Sequence, residues 1–266
     1  VRLSDGTPAW TFSTGAEILG AVNHRDGRLY VGSYDFTLYC LTADTGSLTW
    51  KVETDAQVHA TPCVFDGTVA VAGCDGLLRL LDAADGTQTG SAELTANIAS
   101  SPAFADGRIY LASFDGTMLA VTLRPRPRVT WRRRPADSGA AVFASPAVAG
   151  ERVYFGGRDG ILRCLEAATG EPVWQFRTGD AIDASAVLWG QAVLFGSDDG
   201  RVYAVDRASG ERRWSFTAGA PVRGSPAPAG SRFLVVAGDG VCYAFGARPG
   251  AAEGRAVPET ARGEAP

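Results

Sequence analysis

Four carboxylates, Asp180, Asp183, Asp198 and Asp199, fall close together in the second half of this 266-residue chain. Carboxylate oxygens are the ligands a hard cation takes, so Asp183 and Asp198 are candidates for a calcium or polar-ligand site. The competing reading is an ion network in which Arg158 and Arg223 neutralise them. His59 and Cys74 offer an imidazole and a thiol. Two such groups do not make a zinc site. A Cys–His nucleophile also needs an orienting partner and an oxyanion site, and the sequence suggests neither. The other histidine, His24, falls at the opposite end of its repeat. Tyr34, Phe36, Phe114 and Phe143 are candidates for an apolar rim.

What brings these residues into register is a repeat. A turn aspartate returns at Asp35, Asp75, Asp115, Asp159, Asp199 and Asp239, in steps of 40, 40, 44, 40 and 40 residues. β-type sequence at that period means a propeller or a solenoid. In the fourth repeat, Phe143–Val148, Val153–Gly156, Ile161–Leu165 and Val173–Phe176 read as four strands. Gly150-Glu151, Asp159-Gly160 and Ala168–Gly170 are the turns between them. Asp-Gly and related pairs tolerate the positive φ of tight hairpins. The other first turns are Asp26-Gly27, Asp66-Gly67, Asp106-Gly107, Gly190-Gln191 and Gly230-Ser231. Four antiparallel strands per repeat make one propeller blade.

Hairpin arithmetic then selects the functional end. A turn at 150–151 pairs positions that sum to 301, so Phe143 faces Arg158. The same rule pairs Leu19 with Tyr34, His59 with Cys74, Ala99 with Phe114, Asp183 with Asp198, and Arg223 with Gly238. These positions vary sharply between repeats and sit beside the second turn, where a rigid scaffold carries its binding residues. The predicted channel-mouth set is therefore Asp183, Asp198, Arg158, Arg223, His59, Phe143, Tyr34 and Phe114, with a metal at Asp183 and Asp198 as the sharper alternative. Asp199 reads as a structural turn residue. Trp10, Trp50, Trp131, Trp174 and Trp214 occupy one slot of the outer strand and read as structural wedges between blades. Gly90 breaks that series, which predicts poorer packing of the second outer strand.

Composition bounds the rest. A net charge of −4 gives no general pull toward nucleic acid or anionic membrane. No apolar run is long enough to span a bilayer. The five cysteines are odd in number and show no metal or redox spacing. Cys40, Cys164 and Cys242 fill slots held elsewhere by Ala, Leu or Val, so they read as small buried thiols. Arg124-Pro-Arg-Pro-Arg128 and Arg132–Arg134 depart from the template. Prolines and charges on an outer strand guard an edge, and an acidic partner or a nucleic-acid backbone is the alternative.

The stretch from Asp159 to Trp174 follows Asp-Gly-x-Leu-x-x-Leu-x-Ala-x-x-Gly-x-x-x-Trp. Ser-Pro opens the inner strand at Ser101-Pro102, Ser145-Pro146 and Ser225-Pro226. On these motifs residues 1–246 resemble the quinoprotein-like β-propellers built from PQQ-like repeats. The likeness is nearest to stand-alone bacterial repeat proteins and the outer-membrane assembly lipoprotein. The resemblance implies an all-β propeller of four-stranded antiparallel blades. Its quinone dehydrogenases commonly add a Cys-Cys pair and an aspartate base beside calcium. This chain has no such pair, and only Asp183 or Asp198 matches the aspartate. No cofactor is expected on this reading; PQQ and calcium belong to the alternative.

Six blades are expected, closed by the N- and C-terminal strands sharing one blade, with Ala9–Ser13 beside Val241–Phe245. The rival is a fragment of a larger ring, since the chain starts at Val1, partway through a repeat. Residues 247–266 lack aromatics and read as a disordered tail. The expected function is a non-catalytic, monomeric binding scaffold for a protein or small polar ligand. No dedicated nucleic-acid binding is expected. A sensory domain of a larger signalling or acyl-activating protein is one alternative and a fragment of a quinone-dependent dehydrogenase is another. The resemblance implies a periplasmic or cell-envelope location, or a cytoplasmic one for a fused sensor.

Overall fold

Tight turns set the architecture, and the repeated aspartate builds one of them in every repeat. In all six repeats the backbone N–H two residues on donates to its Oδ1. Thr37 bonds to Asp35, Leu77 to Asp75, Thr117 to Asp115, Ile161 to Asp159, Arg201 to Asp199 and Val241 to Asp239, at 3.1–3.2 Å. The residue after the aspartate takes positive φ. It is Gly76, Gly116, Gly160, Gly200 or Gly240, but Phe36 (φ 65°) in the first repeat. An L-residue pays for that conformation and glycine does not.

The computed structural model describes residues 1–2, 4–98, 100–135 and 140–246, with the backbone of Ala247 and of Ala256–Glu259. Two units emerge, Val1–Arg132 and Arg133–Pro266. The first unit holds three four-stranded antiparallel sheets. They are β1 (Asn23–Arg25), β2 (Arg28–Gly32), β3 (Thr37–Thr42) and β4 (Leu48–Glu53); then β5 (Cys63–Phe65), β6 (Thr68–Ala72), β7 (Leu77–Asp82) and β8 (Gln88–Glu93); then β9 (Ala103–Ala105), β10 (Arg108–Ala112), β11 (Met118–Thr122) and β12 (Arg128–Arg133). The second unit repeats the plan. Its sheets are β13 (Ala147–Ala149), β14 (Arg152–Gly156), β15 (Ile161–Glu166) and β16 (Pro172–Arg177); β17 (Val187–Trp189), β18 (Ala192–Ser197), β19 (Arg201–Asp206) and β20 (Arg212–Thr217); and β21 (Ala227–Ala229), β22 (Arg232–Val236), β23 (Cys242–Ala247) and β24 (Ala256–Glu259).

Within each unit the sheets lock through one residue pair per interface. Val58 inserts over Gly32, Ile182 over Gly156 and Val222 over Gly196. A Cβ on any of these glycines would lie 2.2–2.3 Å from the inserted methyl group. All three inserted side chains are fully buried. Burying one such side chain contributes about 1.5–3 kcal/mol. The Ser and Thr ahead of each inner strand add a second tie. Ala21 N donates to Thr61 Oγ1, Thr61 N to Ser101 Oγ, Ser145 N to Ser185 Oγ and Ser185 N to Ser225 Oγ, at 2.8–3.0 Å.

Tryptophans form a third tie. The indole N–H of Trp10 donates to the Ala43 carbonyl (2.9 Å), that of Trp50 to Ala83 and that of Trp174 to Arg207 (both 3.2 Å). Each ring lies over the turn glycine of the following sheet: Trp10 over Gly46, Trp50 over Gly86 and Trp174 over Gly210. Trp214 stacks on Phe233 and Phe245 of the last sheet.

Two sequence expectations are corrected here. Ala9–Ser13 forms no strand, and the second neighbour of β23 is β24, with Ala244 opposite Glu259 and Gly246 opposite Val257. The C-terminal segment thus takes the edge assigned to the N-terminus. An edge strand needs only half its backbone bonds, so it tolerates Pro258. Of the tail expected over 247–266, Ala247 ends β23 and Ala256–Glu259 form β24, while 248–255 and 260–266 lie outside the described residues. The second correction concerns Cys242, which is exposed while Cys40 and Cys164 are buried. Its slot is filled by buried Leu38, Leu78 and Val202 in other sheets, and in the last sheet that face is open.

Candidate functional site

The mouth positions lie where the inner segment of each repeat leaves its own sheet. The β17–β18 ladder covers only Val187–Trp189. Ahead of it, Ile182 N donates back to the Gly157 carbonyl of the preceding sheet (3.0 Å), and Asp198 N donates to Ala181 (2.8 Å). The inner segment is therefore shared between two sheets, and its side chains meet the neighbour.

That sharing decides the fate of the carboxylates. Arg158 Nε and Nη2 donate to Asp183 Oδ1 and Oδ2 at 2.9 and 2.8 Å. Arg223 Nε donates to both oxygens of Asp198 (3.0 and 3.2 Å), and Nη2 donates to Oδ2 (3.0 Å). The arithmetic placed Asp183 against Asp198, but each turns to a guanidinium on a different neighbouring sheet. Like charges directly opposite are unfavourable, and a bidentate Arg–carboxylate pair removes the conflict. Both oxygens of both carboxylates are engaged, so each charge is already neutralised by a guanidinium. Among the described residues no cluster of three His, Cys, Asp or Glu side chains could hold a metal.

One slot relation unites these contacts. Tyr34 and His59, Arg158 and Asp183, and Asp198 and Arg223 are each 25 residues apart. Tyr34 Oη lies 2.7 Å from His59 Nδ1, with the rings edge-to-face. The same two positions are read as an aromatic–imidazole pair, an Arg–Asp pair and an Asp–Arg pair of opposite polarity. Phe143 lies under the Arg158 guanidinium at 4.3 Å, as its arithmetic partner should. Phe114 is exposed at the corresponding position of the third sheet.

Electrostatics follow from these contacts. The hydrogen bonds it donates to Asp183 hold the Arg158 guanidinium above its ordinary pKa, and those donated to Asp198 do the same for Arg223. Burial raises the Tyr34 phenol and the Cys74 thiol. Both guanidinium groups stay mostly exposed, whereas their carboxylates are largely covered. The mouth of the second unit thus presents two cationic planes, each held at its edge by a carboxylate.

The turn aspartates stand apart from this site. Asp199 Oδ2 accepts from Tyr203 Oη (2.6 Å) and Gly179 N (2.9 Å), and Asp35 Oδ2 accepts from Tyr39 Oη and Gly15 N (both 2.7 Å). Asp75 and Asp159 bind Arg79 and Arg163 instead. Asp180 caps its own turn through Ala181 N. His24 sits on β1 opposite Leu29, away from the mouth.

Sequence reasoning missed one feature. A cavity of about 470 Å³ opens over the face of the sheet formed by β14, β15 and β16, lined by Arg133, Arg134, Phe155, Leu165, Val173 and Trp174. Arg133 reaches the Gly170 carbonyl (3.0 Å) and pairs with Glu171. The Arg run and Trp174 were visible in the sequence, but nothing in the repeat indicated that they share a wall.

The family model described as outer membrane protein assembly factor BamB matches residues 1–89, 64–175 and 158–255. The chain belongs to this family. Among solved structures, BamB from Moraxella catarrhalis is 22% identical with a TM-score of 0.75, over 96% of this chain and 80% of that one. The computationally designed Ika8 protein is 18% identical with a TM-score of 0.76, over 88% of this chain and 72% of its own. At such identities the two structures speak to fold. They agree that the six sheets are blades of a propeller-class repeat. No curated protein matches the chain. Membership of the BamB family selects among the relatives named from the motifs, away from the dehydrogenases.

Proposed function

We propose that this protein is a non-catalytic protein-binding scaffold acting in outer-membrane protein assembly, in the bacterial periplasm or cell envelope. Membership of the BamB family along nearly the whole chain carries this reading. The site chemistry supports it. Exposed guanidinium planes held at one edge by a carboxylate are suited to carboxylates and backbone carbonyls of a protein partner. The polar residues at the mouth are all engaged with one another, which describes a recognition surface and not a reacting centre. No helix among the described residues is long and apolar enough to cross a membrane.

Affinity capture from an envelope extract tests the proposal. The wild-type chain should retain a component of outer-membrane protein assembly, and Arg158→Glu with Arg223→Glu should lose it while keeping the same melting temperature. Capture of no such component by the wild-type chain would sink the proposal. Equal capture by the double variant would move the binding surface away from the mouth.

A further inference from the structure

Positive charge in this acidic chain is concentrated in one place that packing does not explain. Arg124–Arg134 holds six arginines and no carboxylate, while the whole chain carries −4. The segment is the turn from β11 into β12 and then β12 itself, the outer edge strand of its sheet. Arg124, Arg126 and Arg128 are exposed, and among the described residues none of the three has a carboxylate partner. Arg132 is exposed too, and its Nη2 donates to neutral oxygens, Leu94 O (3.2 Å) and Thr95 Oγ1 (3.1 Å). Arg158, Arg213 and Arg223, by contrast, each hold a carboxylate. Five residues of chain span at most about 14 Å, so three uncompensated charges share one short stretch of surface.

Guarding the edge needs less than this. Pro125 and Pro127 already remove two backbone donors, and a single charge blunts an edge. The surroundings say what reads the remaining charge. Across Arg124–Arg128 the prolines leave no continuous ladder, so a peptide cannot dock there by main-chain pairing. Between Phe114 and Val173 no large apolar side chain among the described residues is exposed. The strip therefore lacks the anchor that a protein hot spot uses and the open ring on which a nucleic-acid base stacks. Dense charge without shape fits a surface of mobile anions.

We infer that Arg124, Arg126 and Arg128, with Arg132 beside them, hold the protein against an anionic lipid bilayer through its phosphate headgroups. Clusters of about four to eight basic side chains bind anionic bilayers in this way. Headgroups diffuse in the membrane plane and gather under the guanidiniums, and each guanidinium can take a phosphate through two bonds. The overall charge does not cancel the effect, because charges beyond about 10 Å are largely screened at ordinary salt. None of the mouth residues takes part, so this inference and the protein-partner reading fail separately.

Co-sedimentation of the full chain with vesicles is the test. Vesicles of phosphatidylglycerol with phosphatidylcholine should retain the protein at low salt and release it at about 1 M salt, where the screening length falls to about 3 Å. Each basic residue at an anionic surface contributes about a factor of five, so Arg124→Gln, Arg126→Gln and Arg128→Gln together should lower the partition on the order of a hundredfold. These sites are exposed, so the melting temperature should stay unchanged. Arg177→Gln, Arg201→Gln and Arg212→Gln remove the same charge from exposed sites of the second unit and should keep most of the binding. Equal retention on pure phosphatidylcholine, an unchanged partition in the first triple variant, or an equal loss in the second overturns the inference. So does removal of the protein from the vesicles by duplex DNA or polyglutamate offered at equal anionic charge, because the strip would then read a soluble polymer.

Discussion

Pro127 packs over Gly90: a Cβ at position 90 would lie 3.0 Å from Pro127 Cγ. Position 90 is the tryptophan slot of the second sheet, and 127 falls in the segment that replaces the usual Thr-Gly turn of the third. Elsewhere the indole and the turn glycine occur together, as Trp10 with Gly46 and Trp50 with Gly86. Where the indole is missing, the glycine that would receive it is missing too, and a proline ring fills the gap. The Arg124–Arg128 departure is thus the other half of the Gly90 departure.

Restoring the tryptophan alone should therefore harm the protein. Gly90→Trp forces a large ring into space Pro127 occupies and should cost about 1–3 kcal/mol. Gly90→Trp with Pro127→Gly should recover more than half of that loss. Urea unfolding of the two variants and the wild type measures both steps. If the single variant is neutral, the two positions are not coupled.

Phe36 is the one residue after a turn aspartate that is not glycine, and its φ of 65° is unfavourable for an L-side chain. Its ring is half exposed, so removing it forfeits little burial. Phe36→Gly should raise stability by about 0.5–1 kcal/mol, the left-handed strain outweighing the extra freedom of the unfolded chain. Gly76→Ala, at the equivalent turn, should move it the other way by a similar amount. Thermal unfolding of the pair decides the sign.

Much of this was legible in the sequence, for a physical reason. The turn aspartates, strand registers and indole slots are set by local rules repeated six times, so Phe143 opposite Arg158 followed from counting. The carboxylates of Asp183 and Asp198 did not. Their partners depend on how one sheet's inner segment crosses to the next, which a hairpin rule cannot see. Cys242 was misread for the same kind of reason. Its slot is a core slot, but whether a slot is covered depends on a neighbouring sheet. The strand Ala256–Glu259 carries neither alternation nor aromatics, because an edge strand is held by backbone bonds more than by side chains.

Asp206 gives a pH signature. Its Oδ2 accepts from Arg213 Nε (3.1 Å) and Nη2 (2.5 Å), and its Oδ1 accepts from Ala208 and Ser209 N–H (2.8 and 3.0 Å). The Arg213 bonds, then that of Ser209, hold its carboxyl down at about 2, against an ordinary 3.8. A depressed native pKa stabilises fully above the unfolded value and is lost as pH falls through the folded one. The wild-type melting temperature should therefore fall between pH 4 and pH 2 more steeply than that of Asp206→Asn. The difference should be worth roughly 1 kcal/mol or less after solvent screening. Parallel curves would show that the turn does not depend on the charge.

The cysteines separate by cover and not by sequence slot. Burial pushes the Cys63 thiol up to about 11 and the Cys164 thiol up to about 12, and raises Cys40 and Cys74 in the same direction. A thiol reacts as its thiolate, so these four should be slow toward a disulfide reagent at pH 8. Cys242 is exposed on the open face of the last sheet and should react first. We expect one fast equivalent in the native protein, lost in Cys242→Ser, and the other four only after guanidinium is added. A fast phase that survives Cys242→Ser would mean that a second thiol is accessible, with Cys74 at the mouth the first to test, because only it and Cys63 are less than fully buried.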